Sequence, residues 1–441
     1  MTATIGRDTN VGEFESWGFP AWSFDDFHRR ELPRRLAEGV NEQVTWDLVD
    51  APPFAVACSG GGGGGGRAYT YVAGEDAVTI EPGVRDDATG VLEIGERAWQ
   101  DYVHEFRNPS SLVLAEAIRF ARGGMREWDR WAPAMRCMYS GREIYDPNMT
   151  FEDRHGDPLD LHQTFTLDDD HEDLSHFLRT AGYLVVRGAM APRRDEIAAE
   201  IERLQAEAIE GTIFSWWTDH LDAGHRFPYR LLFMSENSEL IRSLMDDDPT
   251  VEQLVALAKR DLVPLHDRGQ GAVSVLKPFG RGANLGPSIA ANLGWHADCN
   301  LGGCGIMCPS INIGIHVDAA GPDSSQLWAL AGSHGRVPHL SGKRTFEQTT
   351  AVPLDTEPGD ITIHYSCVTH AGPPPTGTNA RRTLYLPFYG PETLTLLGRF
   401  QSFEQVLPGY GTGDTPDYFE MAKDAEQHNT SDLSNVPLGT A

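Results

Sequence analysis

A handful of residues in the second half of the chain are spaced to bind a metal and an organic acid together. His296 and Asp298 flank one alanine in Trp295-His296-Ala297-Asp298. On a strand, residues two apart share a face, so an imidazole and a carboxylate can reach one ion. Gly359-Asp360 leads the segment Ile361–Tyr365 towards His370, and Arg381 follows eleven residues after that histidine. Two imidazoles and one carboxylate on one octahedral face are the ligand set of non-haem Fe(II) centres, which keep three positions open. The arginine fits the same chemistry. A 2-oxo acid chelates iron through its keto acid end, and its distal carboxylate then needs a bidentate cation.

Each of these residues has a rival. His364 lies six residues before His370 and would share its face on an unbroken strand, so it is either a competing ligand or a wall of the site. Arg382 competes with Arg381, because adjacent strand residues face opposite ways and only one can enter the pocket. The spacing favours His370 and Arg381. Lys277 and Arg281, near a strand end, are candidates for a substrate anion or cosubstrate, and Asn312, inside an apolar strand, for a hydrogen bond to cosubstrate. His334 in Gly-Ser-His reads as structural. Cys299, Cys304 and Cys308 match no zinc or iron–sulfur spacing and read as free thiols. Trp216, Trp217, His220, His225 and Phe227 form an aromatic stretch that serves as core or as a substrate wall.

The elements that must position these groups follow from local pattern. Short β-like segments broken by Gly and Pro occupy Ala272–Leu276, Ile311–Val317, Gln326–Leu330, Ile361–Tyr365 and Thr383–Phe388, the texture of a β-sandwich or jelly roll. Before them, His176-Phe177-Leu178 predicts a short helix and Gly182–Gly188 a turn and buried strand. Pro192 opens a helix running to about Glu210, with Ile197, Ile201, Leu204 and Ala208 on one face and Gly211 to end it. The polar, turn-rich stretch 147–158 reads as a linker. In the first third, Ala68–Val72 and Val78–Ile80 predict a hairpin, and helices are expected over Glu96–Glu105 and Ser110–Ala121. The Gly60–Gly66 run lacks the Lys-Ser/Thr of a phosphate loop and reads as a surface loop. The organisation expected is α+β: an accessory domain over 1–156, a jelly-roll domain with flanking helices over 157–408, and an acidic tail over 409–441.

Composition narrows the function classes. The 441 residues carry 36 Lys+Arg against 64 Asp+Glu, a formal net charge of −28. Such a surface repels phosphate backbones and anionic membrane, so nucleic acid is not an expected partner. No run of 18 apolar residues suggests a membrane span, and no basic-then-apolar leader opens the chain. Six cysteines are sparse use and point to a reducing cytoplasm, where Asn148-Met149-Thr150 and Asn429-Thr430-Ser431 are chance sequons.

With these pieces assembled, residues 160–400 resemble the phytanoyl-CoA dioxygenase family of Fe(II)/2-oxoglutarate oxygenases. The resemblance lies in Gly182–Gly188, the His296/Asp298 pair, Leu327-Trp328-Ala329-Leu330-Ala331-Gly332-Ser333-His334, and the Gly359-Asp360…His370…Arg381 block, in the family's order. It implies a double-stranded β-helix with Fe(II) on His296, Asp298 and His370, 2-oxoglutarate pinned by Arg381, and O2 as oxidant. Ala297, Ala331 and Pro375 depart from the residues common in relatives, which bears on substrate more than on mechanism. Halogenating relatives have a small residue where Asp298 stands. The first third resembles a sterol-carrier-protein type domain, through Tyr69–Ile80, Ile80–Gly83 and Val91–Trp99; the alternative is a buttress for the oxygenase or its dimer. The expected activity is hydroxylation of an unactivated C–H bond in a small, lipid-like or secondary-metabolite substrate. Desaturation, epoxidation or ring formation at the same iron, or a non-catalytic metal-containing binding protein, are the alternatives, and the oligomeric state is open, a homodimer included.

Overall fold

The computed structural model describes residues 20, 22–59, 67–105, 112, 117–146, 148–220, 224–277, 293–298, 310–337, 350–372, 376–377 and 379–391. The Gly60–Gly66 run, Arg281, Cys299, Cys304, Cys308, Pro375 and the tail from 409 lie outside them.

Five strands organise the first third: β1 (Phe54–Ser59), β2 (Arg67–Ala73), β3 (Val78–Pro82), β4 (Gly90–Gly95) and β5 (Ile118–Arg122). They lie in the order β3-β2-β1-β4-β5, antiparallel except for β1 beside β4. The expected hairpin is β2–β3. The helix expected to 105 spans Glu96–Val103. The expectation of a helix over Ser110–Ala121 is corrected at its end, since Ile118–Ala121 belong to β5. Ile118-Arg119-Phe120-Ala121-Arg122 is too polar on alternate positions to bury a helical face, but it suits an edge strand on β4. Trp99, Trp128, Trp131, Tyr71, Phe24 and Phe27 are fully buried in the core of this unit.

The remaining strands are β6 (Tyr183–Val186), β7 (Ser215–His220), β8 (His225–Leu231), β9 (Val263–Pro264), β10 (Val273–Lys277), β11 (Leu293–His296), β12 (Ile311–His316), β13 (Leu327–Leu330), β14 (Ala351–Leu354), β15 (Ile361–Tyr365), β16 (His370–Gly372) and β17 (Arg381–Tyr389). The larger sheet runs β6-β15-β12-β17-β10-β8-β7, with β9 also on β17; the smaller runs β11-β16-β13-β14, and every pairing is antiparallel. Ile311, Ile313 and Ile315 from one sheet and Leu327, Ala329, Val352 and Leu354 from the other share one core. This is the jelly roll of a double-stranded β-helix, in an α+β chain. The helix expected to reach Glu210 covers Arg194–Ala206. Its fully buried face ends at Leu204, and Ala208, only partly buried against the same core, lies beyond the helix end.

Three local devices brace this frame. Gly182 ends the helix His171–Ala181 at φ +90°, and a Cβ there would sit 2.4 Å from His334 Nδ1 and from Val368 Cγ2. Only glycine allows that approach. His334 also stacks on Tyr365 and bonds the Arg179 carbonyl through Nε2 at 2.8 Å, a structural role. The buried Asp360 carboxylate accepts from the backbone N–H of Gly188 (2.7 Å) and Glu357 (2.8 Å) and from Arg187 Nη1 (2.6 Å), tying β6 to the start of β15. Finally, Tyr145 packs with Trp295, Leu330 and Ala371, so the end of the first third supports the small sheet.

Candidate active site

The end of β11 and the start of β16 meet directly: His296 is the register partner of His370, and their ring centroids lie 4.2 Å apart. Asp298 does not share the strand with His296, as the two-residue spacing suggested. It sits just past the strand's end, with its carboxylate beside both rings. Its Oδ1 lies 3.5 Å from His296 Nε2 and 3.5 Å from His370 Nε2, and one ligand atom from each of the three residues falls within 4.8 Å of the others.

The protonation states suit ligation. His370 Nδ1 donates to the Val368 carbonyl at 2.9 Å, which leaves the Nε2 lone pair facing Asp298. Burial, reinforced by His296 and opposed by Asp298, pushes the His370 pKa down to about 3, so the ring is neutral. Burial alone would raise the Asp298 carboxyl, but His370, His296 and His364 around it hold it well below its usual range, so it is an anion.

Asp298's second oxygen is held from the larger sheet. Asn312 Nδ2 donates to Oδ2 at 2.6 Å, and His364 Nε2 lies 3.4 Å from the same oxygen. Asn312 and His364 are register partners on β12 and β15. His364, the rival ligand, therefore stands on the Oδ2 side of the carboxylate, while His296 and His370 share Oδ1.

The two arginines part company as strand alternation requires. Arg382 points outward, with Nε and Nη2 2.8 and 2.9 Å from the Asp318 carboxylate and Nη1 2.7 Å from Glu202. Arg381 points inward, is 3% exposed, and leaves Nε and Nη1 buried without a hydrogen-bond partner. A buried guanidinium with unsatisfied donors fits an anionic ligand, since leaving them bare is costly. Opposite it in the β10–β17 register stands Lys277, whose Nζ donates to Ser325 Oγ at 2.5 Å. Burial, with Arg381 and Arg230 nearby, holds the Lys277 ammonium well below its ordinary pKa.

One cavity brings His296, Asp298, His370, Asn312, His364, Lys277 and Arg381 together. Leu265, Val273, Tyr385 and Tyr389 supply apolar walls, and Arg230 on β8 supplies a second guanidinium. Sequence reasoning missed Arg230, and no local pattern flags it: only the pairing of β8 with β10 brings it to the cavity. Of the aromatic stretch, Trp216 and Phe227 are buried in the β7–β8 hairpin. Among the described residues the free cysteines are Cys58, Cys137 and Cys367, none of them in the donor group.

A jelly roll whose mouth collects two imidazoles, one carboxylate and an unmatched buried guanidinium has the donor set for Fe(II) and the counter-charge for a dicarboxylic cosubstrate. That combination defines the Fe(II)/2-oxoglutarate-dependent oxygenases. Over residues 178–383 the chain carries a phytanoyl-CoA dioxygenase (PhyH) family domain. The protein is accordingly an oxidoreductase that depends on Fe(II), 2-oxoglutarate and O2. Solved structures similar to it include AviO1 from Streptomyces viridochromogenes Tue57, at 22% identity over 50% of this chain and 96% of that one, TM-score 0.37. The epimerase SnoN from nogalamycin biosynthesis is 16% identical over 51% of this chain and 86% of its own, TM-score 0.36. EctD from S. alaskensis with bound Fe is 13% identical over 58% and 89%, TM-score 0.42. No curated protein matches the chain. Among the described residues, no helix is long and apolar enough to cross a membrane.

Proposed function

We propose that His296, Asp298 and His370 hold the iron, that Arg381 takes the distal carboxylate of 2-oxoglutarate, and that the enzyme hydroxylates an unactivated C–H bond of a small, largely apolar molecule. Bound together, iron and 2-oxoglutarate supply the oxidant, as O2 converts the 2-oxo acid to succinate and CO2 and delivers its other oxygen atom to substrate. The protein's part is positioning. The Val368 carbonyl fixes the His370 tautomer, and Asn312 orients Asp298 so that one oxygen faces both imidazoles. Arg381 sets the cosubstrate's reach from β17, with Lys277 beside it for the same carboxylate. The apolar walls exclude water and aim one C–H bond.

The observation that carries this reading is the unmatched Arg381 guanidinium in the same cavity as the His296, Asp298 and His370 donor atoms. The organisation we propose keeps residues 157–408 as the oxygenase domain and 1–156 as an accessory domain that buttresses it, as Tyr145 against the small sheet suggests. Anaerobic addition of Fe(II) and 2-oxoglutarate tests the site, because only the chelate gives a weak metal-to-ligand charge-transfer band. A succinate-release screen across a metabolite library then tests the reaction. Product mass separates a gained oxygen from two lost hydrogens. Iron binding without the band, and no succinate with any compound, would leave a binding protein instead.

A further inference from the structure

Ion pairs account for most arginines in this acidic chain, yet the cavity holds cations without carboxylate partners. Arg230 lies opposite Val275 on β10, Lys277 follows two residues along on the same face, and Arg381 stands opposite Lys277 on β17. Two guanidinium groups, with the Lys277 amine between them, thus run across one face of three neighbouring strands. Asp298 is the one carboxylate among the described residues lining that cavity. Iron at +2 and 2-oxoglutarate at −2 cancel each other, so loading the site leaves the positive surplus in place. Arg381 is matched by the cosubstrate, and Lys277 has Ser325 as a partner. Arg230 is the one left over. Its guanidinium lies over the Trp216 ring at 5.3 Å and makes no hydrogen bond or ion pair with any described residue. A cation–π contact uses none of the N–H donors, which leaves them available to grip a carboxylate.

On the oxygenase reading above, we propose that the substrate is an organic anion, a mostly apolar molecule whose carboxylate pairs with Arg230 while its body lies against Leu265, Val273 and Tyr389. The positive surplus selects acids over their neutral analogues, and the Trp216 ring beneath it helps to position the guanidinium for them. A carboxylate lost to an amide forfeits a charge-assisted pair in a sheltered site.

The test uses the full chain, anaerobic, with Fe(II) and saturating 2-oxoglutarate, and a series of ω-phenylalkanoates of increasing chain length against their primary amides. Binding is read by calorimetry and by perturbation of the charge-transfer band. The expected result is that at least one acid binds about tenfold or more tightly than its amide, and that Arg230→Gln brings the two to parity. Arg230→Lys should restore part of the preference, since the charge returns without the planar fork. No acid preference at any chain length, or a preference that survives Arg230→Gln, overturns the proposal. So does a loss of 2-oxoglutarate affinity in Arg230→Gln as large as in Arg381→Ala, which would make Arg230 a cosubstrate anchor. Failure of the underlying reading looks different: the wild-type protein would then give no charge-transfer band before any probe is added.

Discussion

Asn312 Nδ2 donates to Asp298 Oδ2 at 2.6 Å, from the larger sheet to a residue beyond the end of a strand in the smaller one. The same nitrogen lies 3.3 Å from Ser366 Oγ, which keeps the amide aimed. Asp298 has left its strand, so this bond replaces the backbone ladder as the device that orients its carboxylate. Asn312→Ala should weaken Fe(II) binding by about 10- to 100-fold, the usual cost of losing a partner behind a metal ligand. Titration with Fe(II) or Co(II) under anaerobic conditions reads it. Unchanged affinity would mean the carboxylate is held by the imidazoles alone.

Asp298→Ala goes further and removes the carboxylate from the donor set. Fe(II) retention and succinate release should both fall by orders of magnitude, with the far-UV circular dichroism preserved, because the residue lies outside the shared core. Near-normal turnover in this variant would place the iron elsewhere.

Arg381 and Arg382 give a paired experiment. Arg381→Ala should raise the 2-oxoglutarate requirement about 30-fold to several thousand-fold, corresponding to about 2–5 kcal/mol for a sheltered charge pair. Arg382→Ala breaks contacts to Asp318 and Glu202 on the outer side and should leave cosubstrate affinity unchanged. A larger effect from Arg382→Ala would reverse the facing of β17.

Removal of the first third exposes a second dependence. A chain starting at Asp157 retains every donor named above but lacks Tyr145, whose hydroxyl donates to the Ala331 carbonyl at 3.1 Å and shares a hydrogen with Thr350 Oγ1 at 2.7 Å. It also lacks Met149 and Phe151, whose side chains close on Gly332. The shortened chain should lose several degrees of thermal stability and bind Fe(II) more weakly, since Tyr145 packs on Trp295 and Ala371, the neighbours of His296 and His370. A chain starting at Gly141 should keep both properties. Equal stability of the two would show that this brace contributes nothing.

His28 makes the first third sensitive to acid. Its Nδ1 donates to the Phe24 carbonyl at 2.7 Å, and Nε2 accepts from the Tyr71 hydroxyl at 2.6 Å. Burial lowers its pKa from 6.5 to about 4, against smaller opposing effects from the Phe24 carbonyl and Asp25. The neutral ring is therefore favoured by folding. Its contribution is complete above pH 6.5, declines as the pH falls towards 4, and amounts to about 3 kcal/mol at most across that window. Urea unfolding followed by tryptophan fluorescence at a series of pH values should show this slope, and His28→Phe should flatten it. An identical slope in the variant would assign the acid sensitivity to other groups.

The features legible in the order of residues alone are local in origin. Short β-like runs between Gly and Pro breaks matched β15 to the residue over Ile361–Tyr365, and the other expected strands fell within two residues of their ends, because strand propensity and turn residues are written into adjacent positions. The types and order of His296, Asp298, His370 and Arg381 carried the chemistry proposed for the site, since few residue types can bind iron or a dicarboxylate. Tertiary structure decided the rest. Ile118–Ala121 became a strand because β4 offered an open edge, something no window of that segment can encode. Asp298 turned past the end of β11 instead of alternating along it, and its orientation comes from Asn312, fourteen residues away in another sheet. Whether Arg381 or Arg382 entered the cavity depended on the register of β17 against β10, about a hundred residues earlier in the chain. Arg230 joined the site only through β8 pairing with that same β10. A side chain's face is set by the strand it pairs with, and pairing is a contact between distant segments, so these placements exist only once the sheets have closed.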